Sequence, residues 1–124
     1  MKDAAPPPGV QPGIYQVKCA SAKAEREWQH LLDNVPDAAA EAYDRLSNYP
    51  LARRPGRQFP LKGKKLKPFW EIEVDAANRI YYAVCLNTST VIIAVRSDVH
   101  SGANVTELVT KRATTVRRLL AEGR

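Results

Sequence analysis

The sequence predicts an α+β domain in which an N-terminal helix hairpin packs on a small, twisted, mainly antiparallel sheet, with an extra helix at the C-terminal end. Three observations carry this expectation. Apolar residues recur at helical spacing in two adjacent stretches near the start and again near the end. Between them, over residues 58–95, the period shortens to that of strands. The segments separating those strands are short and turn-forming, which makes neighbouring strands antiparallel. At 124 residues, 44% hydrophobic and 26% charged, the chain can bury one core without disulfide or metal staples.

Residues 1–13 contain four prolines and two glycines, and are expected to be a flexible arm that forms neither helix nor paired strand. Residues 14–19 read as a first strand. From Ser21 the period changes: Ala24, Trp28, Leu31, Leu32 and Val35 form one helical stripe, with Ser21 as N-cap and Glu25 in the first turn. Trp28 sits in that stripe and reads as a core anchor. His30, beside the stripe, reads as structural. The Asn34-Val35-Pro36 step ends the helix, and Asp37 opens a second one with the stripe Ala39, Ala42, Tyr43 and Leu46. So short a link makes the pair an antiparallel hairpin.

After a proline-containing loop, residues 58–67 read as a short strand and a basic turn. Residues 69–74 follow, with Trp70, Ile72 and Val74 on one face and Glu71 and Glu73 on the other. In residues 79–86 the core face takes Ile80, Tyr82, Val84 and Leu86, and the opposite, open face takes Arg79, Tyr81, Ala83 and Cys85. The unbroken apolar run 91–95 suits a central strand buried on both sides. The last helix spans 104–121, with the stripe Val105, Leu108, Val109, Val116, Leu119 and Leu120. That stripe must be buried, either on the chain's own sheet or on a partner. The element order is therefore β, α, α, β, β, β, β, α.

Cys19 and Cys85 belong to no CxxC pair, and no Cys/His cluster has zinc spacing. Two buried free thiols are expected, a disulfide between them being the alternative, with no metal and no cofactor. No apolar run reaches the roughly 20 residues of a membrane span, and the N-terminus lacks a signal-like apolar core. A soluble, cytoplasmic protein is the expectation. Charge is unevenly spread. Residues 1–44 carry four basic against seven acidic residues, whereas residues 45–70 carry eight basic and no acidic residues: Arg45, Arg53, Arg54, Arg57, Lys62, Lys64, Lys65 and Lys67. Such a block either attracts a polyanion through its field and counterion release or is simply a solvated loop.

Several motifs stand in a recognisable order: the opening strand followed by a helix with Trp28, then Leu46-Ser47-Asn48-Tyr49-Pro50, Leu61-Lys62-Gly63, the strand Phe69-Trp70-Glu71-Ile72-Glu73-Val74, the stretch Asn78-Arg79-Ile80-Tyr81-Tyr82-Ala83-Val84, and the run 91–95. Together they resemble the RelE/ParE superfamily of toxins from type II toxin–antitoxin systems, over about residues 14–100. The resemblance implies a RelE-like toxin domain over 14–124 and a cognate antitoxin as partner. It further implies a metal-independent endoribonuclease, an mRNA interferase that cleaves mRNA on the ribosome and inhibits translation. A ParE-like inhibitor of DNA gyrase, acting by protein contact, is the alternative on the same fold, and a nucleic-acid-binding module without activity is a third. Oligomeric state is not implied.

Carried over by position, Arg79 matches an arginine that RelE-type toxins use near the scissile phosphate. Lys62 falls where they supply a lysine, and Arg96 and His100 follow the last strand, where they carry further catalytic residues. Lys64, Lys65, Lys67 and Arg57 become RNA contacts, and Tyr81, on the open face, becomes a platform for a base. The chain departs from the family after the last strand, where it reads Arg96-Ser97-Asp98-Val99-His100-Ser101-Gly102 with no following tyrosine, and in its added helix. For Arg79 the residues themselves leave two readings open: a bidentate phosphate contact, or cross-strand pairing with Glu71 or Glu73. His100 is either a general acid or base or an exposed loop histidine.

Overall fold

The computed structural model describes residues 1–98 and 102–123. Helix α1 (Ala22–Asn34) begins where expected: Ser21 Oγ accepts from the Ala24 amide at 3.1 Å. Its apolar stripe turns inward, with Ala24, Trp28 and Leu31 buried. Val35 alone links it to helix α2 (Pro36–Asn48). Pro36 occupies the first helical position, where a missing N–H is no loss. Ala39, Ala42, Tyr43 and Leu46 are all buried, and the Trp28 and Tyr43 rings meet with centroids 6.1 Å apart.

The strands are β1 (Lys2–Asp3), β2 (Gln16–Cys19), β3 (Gln58–Pro60), β4 (Trp70–Glu73), β5 (Arg79–Cys85) and β6 (Thr90–Ser97). They form one sheet in the order β1-β2-β6-β5-β4-β3. Only β2 and β6 run parallel; every other neighbouring pair is antiparallel. On one face, Val17, Ile72, Ile80, Tyr82, Val91 and Ile93 pack under the α1–α2 hairpin. On the other, Phe69, Tyr81, Ala83, Ile92, Ala94 and Val95 pack under α3 (Gly102–Glu122) through Val105, Val109, Ala113 and Val116. The fold is thus α+β, with helices on both faces of the sheet. Of the C-terminal stripe, Val105, Val109 and Val116 are buried within the chain itself while Leu108, Leu119 and Leu120 are half-buried against the same cluster, and each fully covered valine contributes about 1.5–3 kcal/mol.

Two local expectations fail for identifiable reasons. The proline-rich start is docked rather than free: Lys2 and Asp3 pair with Cys19 and Lys18, Ala4 is buried, and Trp28 Nε1 donates to the Ala5 carbonyl at 2.9 Å. A buried indole N–H needs an acceptor, and the arm's backbone supplies it. Leu86, assigned to the core by alternation, falls one residue past β5 in the turn and is 64% exposed.

Strand β2 ends at Cys19 opposite Ile93, so among the described residues β6 beyond that point has no strand on its β2 side. Side chains from both helical layers close the gap. Arg112 of α3 donates to the Ala94 carbonyl at 2.7 Å and grips both Glu27 carboxylate oxygens of α1 at 3.2 Å. Glu27 also accepts from the Arg96 amide at 3.4 Å.

Candidate functional site

Strands β4 and β5 are joined by a tight turn that Asp75 organises, its Oδ1 accepting from the Ala77 and Asn78 amides at 2.8 Å each. The resulting register sets Glu73 opposite Arg79 and Glu71 opposite Tyr81. Opposed residues share a face, so all four lie on the α3 side. Arg79 Nη1 is 3.3 Å from Glu71 Oε2 and 3.6 Å from Glu73 Oε2, in surroundings where these side chains are only 12–21% exposed. The pairing alternative for Arg79 is therefore realised, with both glutamates at once. One guanidinium faces two carboxylates. Its Nε is buried and has no hydrogen-bond partner.

Beside this cluster lies a cavity of about 450 Å³, walled by Lys62, Glu71 and Arg79 with Phe59, Leu66 and Thr106. Lys62 and Arg79 are thus brought to one place. The other two candidate catalytic residues are not. Arg96 pairs with Ile80 and lies on the hairpin side, where its Nε donates to Asn78 Oδ1 at 2.9 Å. His100 lies outside the described residues.

Tyr81 requires a correction. It is on the face that alternation assigned, but that face is not open. With α3 laid over it, Tyr81 is 0% exposed and presents no ring to a base. Burial, together with the charge of nearby Glu71, pushes its hydroxyl well above the usual tyrosine range. The hydroxyl nevertheless makes no hydrogen bond of ordinary geometry.

The basic block divides among several places. Lys62, Lys64, Lys65 and Lys67 are exposed on the loop around a short 3₁₀ turn at Lys64–Leu66. Arg117 of α3 fixes that loop, donating to the carbonyls of Lys65 and Lys67 at 2.8 Å and lying over the Phe69 ring. The lysine side chains are therefore free for solvent or a ligand while their backbone is held. Arg57 is exposed and sits 3.9 Å from Glu73. Arg45 turns inward to Gln58 Oε1 at 3.1 Å. Arg54 is pulled below the usual arginine range by burial and by the charges of Arg45 and Arg57.

Lys62 also borders a second cavity of about 450 Å³, formed with Arg53, Pro60, Lys67, Pro68 and Trp70. A larger cleft, about 860 Å³, is elsewhere, between the N-terminal arm and α2; there Glu41 and Asp44 share the walls with Arg45 and Arg54. Its mixed charge favours neither sign of ligand. Glu71 and Trp70 are cavity-lining residues that sequence reasoning did not place at a site. The signal for Glu71 was present in its strand register opposite Tyr81. Trp70 read as core because it alternates with Ile72 and Val74. Among the described residues, no group of three or more His, Cys, Asp or Glu could hold a metal ion, and no helix is long and apolar enough to cross a membrane.

No protein-family model and no curated protein matches the chain. Among solved structures, it is similar in layout to a chain of the toxin–antitoxin complex RelBE2 from Mycobacterium tuberculosis, at 20% sequence identity, with 71% of this chain and 94% of that chain covered and a TM-score of 0.43.

Proposed function

We propose that this chain is the toxin of a type II toxin–antitoxin pair and a metal-independent endoribonuclease that cleaves mRNA on the ribosome. The observation that carries the reading is the meeting of Lys62 and Arg79 on one cavity at the foot of a lysine-rich loop. RNA cleaves when a 2′-OH attacks the adjacent phosphate, forming a 2′,3′-cyclic phosphate as the bond to the 5′-oxygen breaks and that oxygen takes a proton from solvent. The protein must then stabilise the negative charge that grows on the phosphate oxygens, commonly the largest catalytic contribution. Lys62 and Arg79 supply cations for that purpose. The unpartnered Arg79 Nε is the kind of orphaned donor that a bound oxyanion satisfies. Glu71, on the same wall, offers a carboxylate in reach of the attacking hydroxyl's proton. The exposed lysines at 62, 64, 65 and 67 draw in the RNA backbone.

The partner that silences this activity is a cognate antitoxin whose acidic segment covers the lysine loop, with charge complementarity speeding capture. The pair acts in the cytoplasm, where mRNA and ribosomes are found.

Controlled expression tests the reading. Growth arrest with halted translation and mRNA cleaved in a translating extract is the expected result. Lys62→Ala, at an exposed position, should abolish cleavage with the melting transition retained; Arg79→Ala should abolish it too but lower the transition, because Glu71 and Glu73 lose their shared cation. Full toxicity of Arg79→Ala at equal expression overturns the site assignment. One observation favours the ParE-like alternative, which poisons DNA gyrase by contact alone: Arg79 is already balanced by Glu71 and Glu73. That reading predicts blocked replication and a DNA-damage response, with translation and RNA left intact.

A further inference from the structure

We propose that the cavity bounded by Arg53, Pro60, Lys62, Lys67, Pro68 and Trp70 is a subsite for one unpaired nucleotide of an RNA strand, its base lying against the indole and its flanking phosphates on the three cations. This rests on the reading of the chain as one that acts on RNA.

Charge and shape point the same way. Every charged residue lining this cavity is a cation, whereas the neighbouring cavity carries Glu71 beside Lys62 and Arg79. The volume, about 450 Å³, lies in the range of roughly 300–1,000 Å³ usual for small-molecule sites. The wall is apolar and aromatic. Pro60 on β3 stands directly opposite Trp70 on β4, so ring and indole share one face. Trp70 is half-buried, with the Tyr82 ring packed against it at a centroid distance of 6.4 Å. An indole so backed, in the lining of the cavity, is a firm stacking surface. The backbone at Lys67 is equally well held, because Arg117 binds the carbonyls of Lys65 and Lys67.

An apolar aromatic wall ringed by cations suits the two halves of a nucleotide, and stacking needs a base freed from pairing. A duplex keeps its base faces occupied and does not fit. Because Lys62 lines both cavities, a phosphate on Lys62 joins this nucleotide to the one at Arg79. The two cavities then hold consecutive positions of one strand, and the Trp70 subsite reads the base adjacent to the cleaved linkage.

The full chain can be titrated with a short single-stranded RNA made uncleavable by 2′-O-methylation, following tryptophan fluorescence and, separately, anisotropy of labelled RNA. Only two tryptophans are present. Trp28 is 2% exposed with its N–H engaged by Ala5, so a ligand-induced change reports on Trp70. Quenching by single-stranded but not duplex RNA is expected. Trp70→Leu should weaken binding about tenfold, the usual scale for losing one stacked base. Arg53→Glu, at an exposed position that leaves the core untouched, should also weaken it and flatten the salt dependence. RNA binding seen by anisotropy, without quenching and unchanged in both variants, overturns the subsite while the RNA reading stands. Absence of RNA binding by both measurements also overturns the subsite, while the RNA reading itself stands or falls on cleavage in the translating extract.

Discussion

Replacing Arg112 with alanine should destabilise this protein far more than a surface ion pair normally does. Arg112 and Glu27 are 16% and 19% exposed and meet through two parallel contacts of 3.2 Å. The same guanidinium satisfies the Ala94 carbonyl on the uncovered edge of β6. Its removal leaves a nearly buried carboxylate without its cation and a backbone acceptor without its donor. Exposed pairs are worth about 0–1 kcal/mol, while stripping one partner from a fully buried pair costs roughly 3–5 kcal/mol. A mostly buried, bidentate pair that also carries a backbone bond falls between, at about 2–3 kcal/mol. With a urea m-value of about 1–3 kcal/mol/M for a domain of this size, the midpoint should drop by roughly 1 M or more at constant m. Lys111→Ala is the internal control, since the Lys111–Glu107 pair is 71% and 67% exposed, and its effect should stay within about 0.5 kcal/mol. Pairing Arg112→Ala with Glu27→Ala in a double-mutant cycle should give a coupling of about 1–3 kcal/mol. If Arg112→Ala shifts the midpoint no more than Lys111→Ala does, the edge closure contributes nothing and the reasoning is wrong.

The two adjacent tyrosines should respond unequally to loss of their hydroxyls. Tyr82 donates to the Pro50 carbonyl at 2.6 Å and accepts from Gln58 Nε2 at 3.0 Å, so Tyr82→Phe should cost about 1–3 kcal/mol. The Tyr81 hydroxyl makes no hydrogen bond of ordinary geometry, its neighbour being the Glu71 carboxylate, so Tyr81→Phe should cost well under what Tyr82→Phe costs in the same denaturation assay. Burial, with Glu25 and Glu27 nearby, raises the Cys19 thiol from 9.0 to about 12. The native protein should therefore resist alkylation at Cys19 near pH 8. Below pH 9 the thiol is protonated in both states; above it the unfolded thiol ionises first, so this contribution to stability should decline from pH 9 towards 12. Deleting residues 102–124 uncovers the Phe69, Tyr81 and Ile92 face and should yield insoluble or non-cooperatively unfolding protein; a truncated chain that melts like the whole one refutes the packing role of α3.

The helices and most strands were legible because their patterns are local. Ser21 marks the start of α1 by a bond three residues away, and the stripes of both hairpin helices are the faces that become buried. Strand β1 was not legible: two residues amid prolines carry no period, and their pairing is secured by a tryptophan more than twenty residues later. The site was legible only in part for a related reason. Alternation assigns Tyr81 to one side of the sheet but is silent on what covers that side. That is decided by α3, whose own stripe announces a need for burial without naming the surface that meets it.

Arg96 shows how small a feature can redistribute a site. Tyr81 pairs with Val95 and Tyr82 with Ile93, so Ala94 is one extra residue on β6. Before it, Ile92 points to the α3 side and Ile93 to the hairpin side. Strict alternation would then return Ala94, and next Arg96, to the α3 side beside Arg79. Instead Ala94 and Val95 both bury under α3 and Arg96 emerges on the hairpin side, bonded to Asn78. A single inserted residue therefore separates two arginines that sequence reasoning placed in one site. It also leaves the Ala94 carbonyl available to Arg112, so the irregularity that removes a cation from the cavity creates the anchor that binds α3 across the sheet edge. Cavity chemistry and helix docking are coupled through the backbone of one alanine, and that alanine's side chain is small enough to bury beside Val95 under the helix.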